Sequence, residues 1–162
     1  MPRTVLTYGT FDLFHVGHLN ILKRARSLGD RLIVGVSTDD FNLSKGKKTI
    51  IAFEDRIKII RSIRYVDATF PEYSWDQKVA DVHRYHADTL VMGDDWRGKF
   101  DFLREHCNVT YLPRTKGVSS SHLKLIIDQR ADANTEYMYH DVKVISAAME
   151  LTSDGIGRER RN

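Results

Sequence analysis

The apolar positions of this chain fall into short runs of two alternating kinds. Thr4-Val5-Leu6-Thr7-Tyr8 reads as a strand. Ile21, Leu22, Ala25 and Leu28 then recur at helical spacing between Gly17 and Leu28, with Gly29 as a C-terminal stop. "RLIVGVS" (31–37) is an almost continuous apolar run, as a strand buried on both faces shows. The alternation continues with Ile57, Ile60 and Ile63 marking a helix in "EDRIKIIRSIRY", a strand over 66–70 and a helix over 75–86. "TLVMG" (89–93) reads as strand, 99–106 as helix and "VTYL" (109–112) as strand. A last helix, starting near Ser119 or Ser120, either a good N-cap, carries Leu123, Ile126 and Ile127.

Five strands separated by helices predict an α/β fold over 1–130: a Rossmann-like, doubly wound five-stranded parallel sheet with right-handed crossovers. After about residue 130 the pattern changes. Met138, Val142, Ile145 and Met149 predict one more amphipathic helix, and "GIGRERRN" a basic tail, so 131–162 is expected to be a C-terminal helical extension. The 162 residues, 41% hydrophobic, suit one compact domain with a single core. No segment reaches the roughly 18 apolar residues of a membrane span, and Met1-Pro2-Arg3 does not open a signal peptide, so a cytoplasmic protein is expected. Cys107 is the only cysteine, which excludes an internal disulfide and a cysteine-rich zinc site. A net charge of +3, without a run of five or six like charges, suits a phosphate-bearing small molecule at least as well as nucleic acid.

In such sheets ligands bind beyond the carboxyl ends of the strands, near the point where strand order reverses. Chemistry is therefore expected in Gly9–His18, Ser37–Lys48, Gly93–Trp96 and Pro113–Ser121, and the unusual clusters of the chain are these four stretches. The first, "YGTFDLFHVGH", sets His15 and His18 three residues apart around Gly17. Three readings are open: a metal pair, two satisfied core histidines, or a cradle for an anion. A metal pair needs a third and usually a fourth ligand of similar spacing, and the one other close pair, His83 and His86, falls mid-helix. A core role suits poorly a segment that opens a helix at a strand end. There the first turn offers unpaired N–H groups and a positive dipole, and Gly17 carries no side chain to hold an anion away. The cradle is favoured.

In the second stretch Lys45, Lys47 and Lys48 stand in a glycine-containing loop, either a solvated basic loop or part of the same site. Arg56 and Arg64, eight residues apart, return to similar helical azimuths and so can face one ligand, against the plain alternative of a basic helix face. In the last stretch Arg114 leaves a strand, Gly117 permits a tight path, and Ser119 to Ser121 open a helix with hydroxyl and N–H donors. That is a second phosphate-binding helix start or an ordinary N-cap. Asp94 and Asp95 suit a sugar hydroxyl, a base amino group or magnesium, or are turn residues. Lys78 reads by itself as an ordinary helix lysine. The chain has no GxxxxGK[ST], no GxGxxG after the first strand and no GxSxG, so neither Walker-type binding nor covalent catalysis is signalled. Cationic and N–H donors converge without a nucleophile, which points to phosphoryl or nucleotidyl transfer run by electrostatics and positioning.

"GTFDLFHVGH" together with "RTKGVSS" resembles the HxGH nucleotidyltransferases, and within them the cytidylyltransferase branch, most of all its members that use glycerol 3-phosphate. The likeness covers about residues 4–128 and takes in "GDRLIVGVSTDDFNLSKGKK", "IRYVD", "WDQK", "VMGDDWRGKFDFL" and "YLPRTKGVSSS". It implies transfer of CMP from CTP to sn-glycerol 3-phosphate, giving CDP-glycerol and pyrophosphate, by a homodimer. Magnesium (Mg2+) would enter as the CTP counter-ion, with no protein metal ligands. By position it implies a catalytic set of His15, His18, Lys47 and Arg114. The nucleotide pocket would add Gly9, Thr10, Phe11, Gly17, Asp95, Thr115, Gly117, Val118, Ser119, Ser120 and Ser121, and Lys45, Arg56, Arg64 and Lys78 would meet the glycerol phosphate. The family more often has glutamate where Lys116 stands and threonine near Ser120 and Ser121; neither difference removes an essential donor. The competing readings are another cytidylyl- or adenylyltransferase, a nucleotide-binding regulatory module and, against the mild charge, a nucleic-acid binder.

Overall fold

The computed structural model describes residues 2–132, so the expected helix around Met138 to Met149 and the basic tail lie outside the described residues. The chain divides into two units, Met1–Ser120 and a second beginning at Ser121, whose described part is helical through residue 132.

The first unit is built on five parallel strands: β1 (Thr4–Gly9), β2 (Arg31–Ser37), β3 (Ala68–Glu72), β4 (Thr89–Gly93) and β5 (Asn108–Leu112). They lie in the order β3-β2-β1-β4-β5. The helices between them are α1 (Val16–Arg26), α2 (Asp39–Ser44), α3 (Phe53–Arg61) and α4 (Gln77–Arg84), with 3₁₀ turns at Asp94–Trp96 and Asp101–Glu105. The Rossmann-like sheet is thus as the apolar pattern predicts. Alternate strand residues feed two cores, one on each face. Val5, Leu32, Val34 and Val91 pack with Leu22 and Ala25 of α1 and Ile60 of α3. Leu6, Ile33, Leu90 and Met92 pack with Val82 of α4 and Leu103. Each fully buried leucine or isoleucine contributes roughly 1.5–3 kcal/mol. The chain leaves β1 toward β2 and β3, then returns to place β4 on the other side of β1. Strand order therefore reverses between β1 and β4, and the loops after these two strands frame the crevice.

Several boundaries differ from the expected ones. The 37–48 stretch is not all loop: Thr38 caps α2, its Oγ1 accepting the Phe41 N–H at 3.2 Å, with Asp39 and Asp40 suiting the helix dipole. The third strand runs through Pro71 to Glu72, two residues beyond the expected end, because on an edge strand a missing N–H is tolerated. Helix α4 begins only at Gln77, which leaves Trp75 in the preceding loop. The helix expected over 99–106 is a short 3₁₀ turn. Helix α3 stops at Arg61, so Arg64 is past its end and the shared face expected for Arg56 and Arg64 does not form.

Candidate active site

The crevice begins with a tight loop after β1. Two non-glycine residues there, Phe11 and Leu13, have left-handed backbones with φ of 54° and 48°, which costs roughly 1–2 kcal/mol each. The residue between them holds the loop. The buried Asp12 carboxylate accepts N–H groups of Leu13 at 3.1 Å and of Ile50 and Ile51 at 2.9 Å. The Phe11 ring turns back over Gly9, where a Cβ would come within 2.8 Å of it, and joins the core instead of facing solvent.

His15 is the N-cap of α1. Its Nδ1 accepts the Gly17 N–H at 3.0 Å, which leaves the proton of the neutral ring on Nε2. The His18 ring stacks on it with centroids 3.8 Å apart and planes 20° from parallel, and is backed edge-on by Phe11 at 5.4 Å and by Phe14 at 5.6 Å. Burial lowers the His15 pKa, with the Arg114 charge adding to it. Burial, then the His15 and Arg114 charges, push His18 down to about 3. Both imidazoles are neutral at pH 7. They act as hydrogen-bonding groups, and positive charge comes from elsewhere. Gly17 also serves the cap. A Cβ there would lie 2.8 Å from the His15 ring and 3.2 Å from Val118, so the bare Cα makes room for the capping imidazole, and its N–H is turned to that ring. Stacked rings, one with Nδ1 already bonded, do not converge nitrogens on a point as a metal pair would.

The loop after β5 closes on this pair. Ser120 donates its hydroxyl to the Asp12 carbonyl at 2.7 Å and lies 3.4 Å from His15 Nε2. Thr115 accepts from the Asn20 side chain of α1 at 3.1 Å, and Gly117 turns the loop with φ of 79°. Arg114 is exposed, with Nη1 3.7 Å from an Asp95 carboxylate oxygen. Gly93 lets that carboxylate fold back onto the end of β4, since a Cβ would sit 2.5 Å from it. His15, His18, Thr115, Val118 and Ser120 are thus gathered at one place, with Arg114 and Asp95 paired at its solvent side. Ser119 is part-buried beside them in the chain, and Ser121 belongs to the second unit.

A second compartment lies at the ends of β2 and β3. Lys78, ordinary in the sequence, is wholly buried and paired with the buried Glu72. Its ammonium lies 4.1 Å from the Tyr8 ring centroid, 4.9 Å from Trp75 and 5.3 Å from Phe100. Lys45 reaches the same place over Phe41 at 3.9 Å and Trp75 at 5.3 Å. Burial lowers it to about 8, with Glu72 opposing and Lys47, Lys78 and Arg56 assisting. Lys47 is exposed, its ammonium 5.6 Å from Trp96.

Arg56 is fully buried between these regions. Nε donates to the Ile51 carbonyl at 2.9 Å, Nη1 to those of Thr10 at 2.6 Å and Ser37 at 2.9 Å, and Nη2 to the Asp39 carboxylate at 2.6 Å. Burial would raise the Asp39 pKa, but the Phe53 N–H, the Arg56 guanidinium and Thr49 outweigh it and hold the carboxyl low. These contacts fasten strand ends and the loops beside them. Thr10, bonded through Oγ1 to Asn42 at 2.8 Å, belongs to the same knot. Arg64 is exposed, its guanidinium 6.0 Å from the Tyr65 ring. Among the described residues no three His, Cys, Asp or Glu side chains gather as a metal cage. Asp12 and Ser37 fall within the expected stretches without a role of their own, and Glu72 and Trp75 lie outside them. The strand-end rule, applied to β3 as it was to the other four strands, would have singled out Glu72 to Trp75.

Residues 6–126 match the family described as Cytidylyltransferase-like. The chain belongs to the cytidylyltransferase-like family. Among curated members of that family it is 54% identical to a glycerol-3-phosphate cytidylyltransferase of Bacillus spizizenii, over 75% of this chain and 95% of that one. It is 51% identical to the Staphylococcus aureus protein of the same name, over 75% and 92%. An ethanolamine-phosphate cytidylyltransferase of Dictyostelium discoideum is 31% identical, but only 36% of its length is covered. The fold recurs in the lipopolysaccharide core biosynthesis protein of Thermoplasma volcanium, with a TM-score of 0.63 at 24% identity, covering 73% of this chain and all of that one.

Removing the buried guanidinium should unfasten the crevice: Arg56→Met is expected to lower the unfolding free energy by about 3 kcal/mol or more in urea titrations. A loss under ~1 kcal/mol would contradict the structural role. His18 gives a pH signature. Its folded pKa lies below the unfolded value near 6.5, so the unfolded chain binds the extra proton and stability is lost as pH falls from 6.5 toward 3. Between pH 6.5 and 4.5 the wild type should lose about 2 kcal/mol more than His18→Gln; parallel losses would contradict the buried neutral ring.

Proposed function

We propose that this chain transfers CMP from CTP to sn-glycerol 3-phosphate, releasing pyrophosphate and CDP-glycerol. The observation that carries the reading is the pairing of two compartments at adjoining strand ends. One is a neutral, stacked histidine pair at the start of α1, and the other is a lysine pair set among aromatic rings. Half-identity, over nearly their whole length, to proteins named for this reaction supports the choice of acceptor.

The triphosphate lies over the N-terminus of α1, where His15 Nε2–H and His18 meet its oxygens and Lys47 and Arg114 supply positive charge. The pocket is completed by the loops carrying Gly9, Asp95 and Thr115 to Ser120. Lys45 and Lys78 take the acceptor's phosphate. One oxygen of that phosphate attacks the α-phosphorus of CTP in line. The bond from that phosphorus to the bridging oxygen breaks, and the electron pair leaves with pyrophosphate. The attacking oxygen is ionised at neutral pH, so no general base is needed. Neutral imidazoles give hydrogen bonds that tighten on the crowded, charge-bearing phosphorus without a proton changing hands. Magnesium would enter as the counter-ion of CTP and would offset part of its phosphate charge. A homodimer in the cytoplasm completes the reading, on the family resemblance and on there being no helix, among the described residues, long and apolar enough to cross a membrane.

A panel of nucleoside triphosphates crossed with phosphorylated alcohols, read by pyrophosphate release, tests the reading. Selective turnover of CTP with glycerol 3-phosphate is expected, and preference for another nucleotide or acceptor overturns it. His15→Ala and His18→Ala should each reduce kcat by at least about 10²-fold, roughly 3 kcal/mol, with far-UV circular dichroism unchanged. Near-wild-type turnover in either would remove that histidine from the transition state.

A further inference from the structure

Glu72 stands at the carboxyl end of β3 and is 2% exposed. A carboxylate this deep needs partners for both oxygens, and here each partner leads to a lysine. Oε1 is paired directly with the Lys78 ammonium. Oε2 accepts the Ser37 hydroxyl at 2.5 Å, and Ser37 Oγ in turn accepts from the Lys45 ammonium at 3.1 Å. The parallel register of β2 and β3 makes this possible by setting Ser37 directly beside Glu72. The two ammonium groups reach the shared Trp75 wall from different elements, Lys45 from the end of α2 and Lys78 from α4. We propose that Glu72 is the positioning residue of the acceptor compartment, holding Lys78 directly and Lys45 through Ser37 so that both ammonium groups face one phosphate. The inference rests on the acceptor reading given above.

Glu72 is shared between the two lysines, Asp81 acts on Lys78 as well, and two ammonium groups among aromatic rings suit a doubly charged phosphate. Glu72 also governs the charge of the lysines. Burial lowers both pKa values, and Lys47, Lys78 and Arg56 lower Lys45 further. Glu72 opposes this at both sites, and Asp81 helps it at Lys78. Asp81 is itself bonded to the Tyr8 hydroxyl at 2.9 Å and the Gln77 amide at 2.9 Å, so among the described residues Glu72 is the carboxylate tied to both lysines. Without its charge, each ammonium would give up its proton at lower pH. The direction follows: the phosphate-binding form is the protonated one, so the alkaline limb of acceptor use should move toward neutrality.

The test compares wild type, Glu72→Gln and Ser37→Ala in steady-state kinetics from pH 6 to 9 and in NMR titrations of isotope-labelled lysine side chains without substrates. Glu72→Gln should raise KM for glycerol 3-phosphate at least tenfold, leave KM for CTP within twofold, and shift the alkaline limb of kcat/KM for the acceptor to lower pH. Both lysine titrations should move the same way. Ser37→Ala keeps the buried carboxylate and its Lys78 partner, so it tests the relay where Glu72→Gln fails to fold. It should raise the acceptor KM severalfold and shift Lys45 alone. An unchanged acceptor KM and alkaline limb in Ser37→Ala, or lysine titrations that stay in place, would overturn the inference while the wild type still makes CDP-glycerol. A wild type that makes none overturns the acceptor reading itself.

Discussion

A single buried guanidinium joins the parts of this protein that must not move apart. Arg56 sends donors to the carbonyl that follows β1, to the last carbonyl of β2, to the loop before α3 and to the carboxylate that begins α2. A parallel sheet leaves such carbonyls without ladder partners at the strand ends, and in a crevice shielded from water that is costly. A delocalised cation with fixed donor geometry satisfies several at once. It thereby sets the distance between the histidine loop after β1 and the lysine compartment after β2.

The crevice then assigns charge sparingly. The histidines are neutral because they are partly buried and near Arg114, with His15 also acting on His18, and the N-cap bond from Gly17 decides which nitrogen of His15 bears hydrogen. Their neutrality lets them lie 3.8 Å apart at the positive end of a helix, where two imidazolium rings would repel. The full positive charges are either tied to carboxylates, as in Lys78 with Glu72 and Arg56 with Asp39, or left at the solvent edge, as in Lys47. The strained backbone at Phe11 and Leu13 persists because the Asp12 carboxylate binds the loop on both sides. Strain, caps and buried charge all serve to aim the same few side chains.

Much of this was legible in advance, for identifiable reasons. The strands at 31–37 and 89–93 match the apolar runs because burial on both faces leaves no polar interruption. The histidine motif stood out because it breaks the pattern right after a strand. Glu72 and, read by itself, Lys78 did not, because an acid after a proline and a lysine in a polar helix look solvated until the turn from β3 into α4 buries them as a pair. Arg56 misled for a related reason. Its spacing to Arg64 suggested a common face, but the helix carrying it ends at Arg61 and its neighbours in space come from three other segments.

By itself, then, the order of residues determined what depends on local periodicity and on strand ends: five parallel strands, two faces of core, and a crevice marked by His15, His18, Lys45 and the loop from Arg114. Tertiary structure alone decided the strand order, the protonation of the two imidazoles, the burial of Arg56 and Lys78, and the link from Glu72 to two lysines. These are long-range matters, set by which desolvated groups meet across strands far apart in the chain. Local pattern carries the period of an element but not the identity of its partners.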